Sequence, residues 1–299
     1  MEATLTNQKT SESQVKLTGK ANVIDYYTDA GPDYEFWSKN FNMHFGYAKF
    51  SGDCFSREKM LQRMNEVVLD DFNIQPQDKI VDIGCGLGAT LRFGAQAYPF
   101  TRFTGFTITP WQIQQSNKLI QALNLDNAKV KYGDYTDIPL RKNSVDAVYG
   151  IESICHAKGF DKKAPLKEAF RILKEGGKFI MVDGFLKKPE NELSPFVSRL
   201  YQRVCTNWAL PCFPEIHAVE KQLIKIGYTD INIEEISYKI APSAVHAPFT
   251  TLGFLIKKMI KGERLNQQSW NNLKACFSIF FLGLSRSSIG YFKINATKP

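Results

Sequence analysis

Along this chain, short apolar runs alternate with longer stretches in which apolar residues return every three to four positions. Lys79–Ile83 and the segments 101–108, 128–132, 144–150 and 178–183 are short and apolar or alternating, the pattern of strands. Helical spacing marks 57–72, where Met60, Met64, Val67, Val68 and Phe72 share a face, then 89–97, 164–173 and 218–226. Thr109 is placed to cap a further helix that Pro110 opens. A sixth strand is read over 231–240. Strands that take turns with helices predict an α/β domain with a parallel sheet.

The first strand closes on Asp82 and is followed by Gly84, Gly86 and Gly88, one glycine at every second position. That is a buried strand entering a tight turn, with a helix beyond it. Glycine is needed where φ turns positive or a ligand must approach the backbone. The helix N-terminus offers free N–H groups to an anion. The spacing G-x-G-x-G differs from the dinucleotide pattern G-x-G-x-x-G with its acid further on.

The 299 residues suffice for one large domain or a core with a cap, and 43% hydrophobic with 23% charged content predicts a soluble globular fold. The net charge is +8. It is spread along the chain, with one denser patch at Lys257, Lys258, Lys261 and Arg264. With no polybasic tail and no aromatic-basic repeat, nucleic acid is not expected as a partner. Six cysteines without a C-x-x-C pair predict free thiols in a reducing compartment and no metal site. Residues 1–20 are polar and read as a disordered tail. No apolar run approaches the roughly 20 residues that cross a bilayer, so a cytoplasmic protein is expected, with any membrane contact peripheral.

The Asp82-to-Gly88 stretch resembles motif I of the class I S-adenosylmethionine-dependent methyltransferases. The resemblance implies a loop around the methionine end of S-adenosylmethionine, with Asp82 near its amino group. Residues 105–112 resemble the subgroup pattern G-x-T-x-S/T-x-x-Q, in which hydroxyl residues and a glutamine replace the usual ribose-gripping acid. This implies Gln112, Thr107 and Thr109 at the ribose, since a neutral amide can pair with hydroxyls. By position alone, Gln112 also suits a solvated helix face. Residues 133–140 resemble the segment G-D-x-x-x-L-P, implying Asp134 at the adenine amino group and the Tyr135 backbone at the ring. Asp134 equally suits a turn.

Residues 149–157 resemble the Y-x-I-E-A-T-C-H-A signature of sterol C-methyltransferases, a Glu-x-x-x-His arrangement shared by tocopherol and natural-product methyltransferases. Glu152 and His156 thereby fall at a strand's carboxyl end, where open α/β sheets bind ligands. They are the candidate catalytic pair, with Ile151 among the cofactor residues. His156 alone also reads as a structural histidine in a loop. The L-K-x-G-G-x-F segment before the fifth strand is scaffold.

Residues 21–50 hold Tyr26, Tyr27, Tyr34, Phe36, Trp37, Phe41, Phe45, Tyr47 and Phe50, and resemble the region that closes over the cofactor and lines the acceptor pocket in sterol and tocopherol methyltransferases. Tyr27 and His44 are its candidate catalytic residues. The expected organisation is a lid with helices over 21–72, a cofactor-binding core over 73–240 with a cap at 186–217, and a helical insertion with the last strand over 241–299. By the resemblance this is a Rossmann-like seven-stranded sheet with an aromatic lid and a C-terminal helical cap, its seventh strand antiparallel at the sheet edge. The apolar segments 248–261 and 273–284 read either as core helices, the favoured reading, or as a basic membrane-facing surface.

The function implied is methyl transfer from S-adenosylmethionine to a hydrophobic acceptor, by C-methylation of a sterol or isoprenoid lipid. N- or O-methylation of a small polar or phenolic metabolite is the alternative, and a non-catalytic binding protein a third class. Tyr27, Trp37, Tyr47 and Trp208 are the aromatic faces that would meet a developing cation.

Overall fold

The computed structural model of the chain describes residues 20–31, 34–49, 52–263 and 267–299. The expected tail, Phe50 and Arg264 lie outside the described residues, apart from Lys20. Helices α1 (Lys20–Ala30), α2 (Tyr34–Trp37) and α3 (Arg57–Asp70) precede the sheet. Then follow β1 (Lys79–Ile83), α4 (Ala89–Ala97), β2 (Arg102–Thr107), α5 (Pro110–Ala122), β3 (Ala128–Tyr132) and β4 (Val145–Ile151). The second half comprises α6 (Lys163–Ile172), β5 (Leu173–Leu186), α7 (Pro195–Asn207), α8 (Ile216–Ile226), β6 (Thr229–Glu235), α9 (Ser237–Ile260), α10 (Gln267–Gly283) and β7 (Ile289–Thr297).

The seven strands form one sheet in the order β3-β2-β1-β4-β5-β7-β6. The first five strands pair in parallel. Successive side chains point to opposite faces. Val81, Ile83, Val148, Phe179 and Met181 therefore enter one core, with α6 and α8. Ile80, Phe103, Ala147, Tyr149 and Ile180 enter the other, with α3 and α4. A sheet covered on both faces needs apolar residues on both, which is why its central strands read as nearly continuous apolar runs.

The order reverses between β1 and β4. A crevice therefore opens at their carboxyl ends, where Gly84–Gly88 and Glu152 sit.

Three expected features differ. β7 is antiparallel but lies between β5 and β6, so β6 is the edge. β5 starts at Leu173 and runs 14 residues, long enough to pair with β7 from Lys178↔Thr297 to Leu186↔Ile289. The sixth strand stops at Glu235 rather than 240. There the Ser237 hydroxyl accepts the Tyr291 N–H at 2.8 Å, replacing the next ladder bond and releasing the chain into α9. The region 186–217 contains α7, whose N-cap Ser194 accepts from Val197 N–H and whose Val197, Leu200, Tyr201 and Val204 pack on Leu186, Phe213 and Leu282.

The insertion forms two long helices. α9 runs through Pro242 and Pro248, each of which removes one helical N–H. Its start is fastened to the N-terminal segment: Gly46 N–H donates to Ser243 Oγ and Ala48 N–H to the Lys239 carbonyl, both at 2.8 Å.

Candidate active site

The β1 turn is shaped by close approach. Gly84 takes φ +79°, and a Cβ there would lie 2.5 Å from the Ser153 Cβ. Gly86 takes φ +52°, and its Cβ would lie 2.8 Å from Met43 Sδ. Gly88 caps α4 at φ +68° behind the loop, so its requirement is conformational. Arg92, buried on α4, ties the Leu87 carbonyl to the Asn40 carbonyl, joining the glycine loop to the N-terminal segment.

A cavity of about 400 Å³ lies over this turn. Asp82, Gly84, Gly86, Thr107, Thr109, Gln112, Asp134, Tyr135 and Ile151 all line it. The expected cofactor residues thus converge, save Gly88, which is displaced from the lining. Burial pushes the Asp82 carboxyl up to about 7, with the Tyr149 phenol pulling it back. A buried carboxyl of this kind favours a cationic neighbour such as an ammonium group. Gln112 is 2% exposed, so it is not a solvated residue. Its Oε1 accepts from Thr107 Oγ1 at 2.6 Å, which leaves the amide N–H groups on the side of Met43 and the cavity. Thr107 Oγ1 also accepts the Thr109 N–H at 3.3 Å. Asp134 Oδ1 accepts from the backbone and hydroxyl of Thr136 at 2.8 and 2.7 Å, so it does shape a turn while facing the cavity. An open, glycine-floored cradle ending at a buried carboxyl fits S-adenosylmethionine.

A second cavity, of about 460 Å³, adjoins the first. Its walls come from α1, α2, the α7–α8 loop, α9, α10 and β7, and they are mostly apolar and aromatic. Tyr27, Met43, His44, Glu152 and His156 line both cavities. All four candidate catalytic residues therefore stand on the boundary. Tyr27 Oη lies 2.9 Å from His156 Nε2. Burial lowers His156 to about 4 and holds Tyr27 well above 10, so the pair is neutral. Glu152 sits at φ +47°, a strained backbone. Its Oε1 accepts from Phe45 N–H at 2.6 Å and Tyr291 Oη at 2.5 Å. Burial raises its carboxyl to about 8 against these two bonds.

His44 differs from its expected catalytic role. Nδ1 lies 2.9 Å from the Phe45 carbonyl and Nε2 3.0 Å from Asn65 Oδ1, so both nitrogens face scaffold acceptors. Asn65 is itself held by Asn42 and Thr90, and this network pins residues 42–44 over the cofactor cavity. Tyr47, expected at the acceptor, lies away from both cavities, beside Lys239. Trp37 and Trp208 do line the second cavity.

Sequence reasoning missed four residues. Tyr291 holds Glu152 from β7, 139 positions away. Asp183 lines the second cavity and accepts from Cys155 N–H at 3.0 Å and Gly184 N–H at 2.9 Å; burial raises it to about 6. Its signal was present, since Asp183, like Asp82, stands near the carboxyl end of a strand. Met43 sits over Gly86. Lys162 is fully buried, and its Nζ donates to the carbonyls of Cys155 at 3.0 Å, Ala157 at 2.6 Å and Cys212 at 2.8 Å. It thereby clamps the His156 turn to the loop after α7.

Residues 80–177 match the methyltransferase domain family. The chain is 27% identical over 233 residues to sterol 24-C-methyltransferase of Kluyveromyces lactis, covering 75% of this chain and 59% of that protein. The chain thus spans somewhat over half of that relative's length. Its fold superposes on a cyclopropane synthase of Mycobacterium tuberculosis with a TM-score of 0.77 at 18% identity, covering 94% and 99% of the two chains. It superposes on a geranyl diphosphate C-methyltransferase from Streptomyces coelicolor with a TM-score of 0.69 at 15% identity, covering 94% and 97%.

Proposed function

Starting from a chain that carries a methyltransferase domain in the class I fold and resembles the sterol C-methyltransferases, we propose that it methylates a carbon of a hydrophobic, sterol- or isoprenoid-like acceptor. One observation carries this reading: an aromatic, largely apolar cavity meets the cofactor cradle across Tyr27, Met43, His44, Glu152 and His156.

S-adenosylmethionine, when bound, would supply a methyl group on a positive sulfur that keeps the C–S electron pair as the methyl leaves. The chain's residues have to align, enclose and manage charge. Asp82 would take the amino group, Gln112 with Thr107 behind it the ribose edge, and Asp134 with Tyr135 the adenine edge. An alkene carbon that gains the methyl commits its π electrons to the new bond and leaves a cation on its neighbour. The faces of Tyr27, Trp37 and Trp208 suit that charge. A proton then leaves the adjacent carbon, and its C–H electrons restore the alkene. We assign Glu152 as the base, held in place by Phe45 and Tyr291. Positive charge beside it favours its ionised form. The Tyr27–His156 pair shapes the boundary beside the reacting carbon, and His44 is a positioning residue.

A second reading is favoured by one feature. Glu152 and Asp183 are two acids facing one apolar cavity, an arrangement that also suits an amine. N- or O-methylation of a small metabolite is then the outcome.

The test offers the protein methyl-labelled S-adenosylmethionine with sterols, prenyl lipids, phenols and polar amines in turn. Label is expected in the organic phase with sterols or prenyl lipids, and mass spectrometry locates the carbon. Label confined to polar products discards the lipid reading. No label anywhere, with cofactor binding intact by calorimetry, would leave a non-catalytic binding protein.

A further inference from the structure

Helices α9 and α10 turn to solvent what most surface helices bury. On α9, Val245, Phe249, Leu252, Ile256, Met259 and Ile260 recur at helical spacing and are exposed, Phe249 at 65% and Ile260 at 82%. Ile240, Ser243, Ala247 and Leu255 on the opposite face are buried. On α10, Trp270, Phe277 and Phe281 are exposed, and Leu284 just beyond it is 67% exposed. An apolar patch of this kind marks an interaction surface.

Charge selects its occupant. From Ser237 to Gly283 the sequence holds five lysines and one arginine against a single acid, Glu263. Lys257, Lys261 and Lys274 are exposed beside the apolar stripes. Side chains that insert shallowly, rimmed by lysines that meet phosphate headgroups, fit an anionic bilayer. Trp270 at the rim suits the membrane interface. The inner faces of the same helices wall the second cavity through Ala244, Thr251, Phe254, Cys276 and Phe280, while Val245 and Leu284 are both exposed and cavity-lining. Patch and cavity are two sides of one helix pair.

We propose that α9 and α10 dock the protein on an anionic lipid bilayer, with the second cavity opening toward it so that an acceptor enters without crossing water. The entry route rests on the lipid-acceptor reading; the docking does not.

The full chain is sedimented with extruded vesicles of phosphatidylcholine containing about one-third phosphatidylglycerol, and with phosphatidylcholine alone. Binding to the anionic vesicles is expected, weakening as salt rises. The variant Lys257→Glu, Lys261→Glu, Lys274→Glu should bind about a hundredfold more weakly. A second variant, Phe249→Ser, Ile256→Ser, Ile260→Ser, changes exposed side chains alone and should also lose binding with its thermal unfolding midpoint kept. Failure to sediment with anionic vesicles at any salt would overturn the docking, as would full binding by both variants. Self-association in ultracentrifugation that the serine variant abolishes, without vesicle binding, would assign the patch to a second copy of the chain. Vesicle binding without lipid methylation would discard the acceptor reading and leave the docking standing; methylation without vesicle binding would do the reverse.

Discussion

The two cavities are of similar volume but are built in different ways. The cofactor cavity draws most of its wall from the consecutive strand-end loops between Asp82 and His156. Its shape depends on backbone: positive-φ glycines, a Thr–Gln hydrogen bond and an aspartate turn. The second cavity is assembled from α1, the α7–α8 loop, α9, α10 and β7, elements far apart in the chain. Its shape depends on side chains meeting across long separations, as Tyr291 meets Glu152. A cradle for an invariant ligand tolerates little change. A pocket made of helices added around the sheet can be remodelled without disturbing that cradle.

Four substitutions or measurements separate the two. The largest effect is expected from Glu152→Gln on the boundary. Turnover should fall about a thousandfold, cofactor affinity staying within about threefold on the general scale of such conservative changes. The wild-type kcat/KM, which reports the free protein, should climb as pH approaches about 8 and Glu152 ionises, and the variant should lack that rise. Equal losses in turnover and cofactor binding would place Glu152 with the cofactor.

Gly84→Ala adds a Cβ against Ser153 at a φ that disfavours it. Cofactor affinity by calorimetry should drop about a hundredfold, whereas acceptor KM at saturating cofactor should hold. An unchanged affinity would show that the turn yields.

The third effect is a proton linkage. In the free protein Asp82 titrates near 7, and a bound ammonium favours its carboxylate. Cofactor binding then releases a proton below that pH, so affinity should rise about fivefold from pH 6 to pH 7. Asp82→Asn should bind weakly with a flat profile; a flat wild-type profile would refute the linkage. The smallest effect is expected from Tyr47→Phe, which touches neither cavity. Turnover within about twofold of wild type is expected, and a larger loss would return Tyr47 to the acceptor side.

The same contrast governs what can be read from sequence. Strands, glycine turn and most candidate cofactor residues are local patterns, and Asp82, Gly84, Gly86, Gln112 and Asp134 line one cavity. Tyr27 and His156 are visible through their surroundings, although nothing in the chain announces a 2.9 Å contact across 129 positions. His44 misleads because a histidine in an aromatic stretch looks reactive until Asn65 and the Phe45 carbonyl take its nitrogens. The place of β7 inside the sheet depends on the length of β5, a tertiary pairing with no local signature. The signal of Asp183 is masked because the first half of its own strand, from Leu173, has the pattern of scaffold. Asp82 likewise stands near the end of its own strand and lines the first cavity, so a carboxyl near such a strand end is itself a signal of a site.

Lys162 carries a mechanical consequence. Its ammonium rivets the His156 turn to the loop after α7 through three carbonyls in a site closed to water. Parting those two segments would break the bond to the Cys212 carbonyl, a cost of about 1.5–3 kcal/mol for a charged donor. The loop after α7 and the His156 turn are therefore coupled through one side chain. α9 and α10 wall the side of the second cavity away from that clamp, so an acceptor entering between them would leave the bridged segments in place.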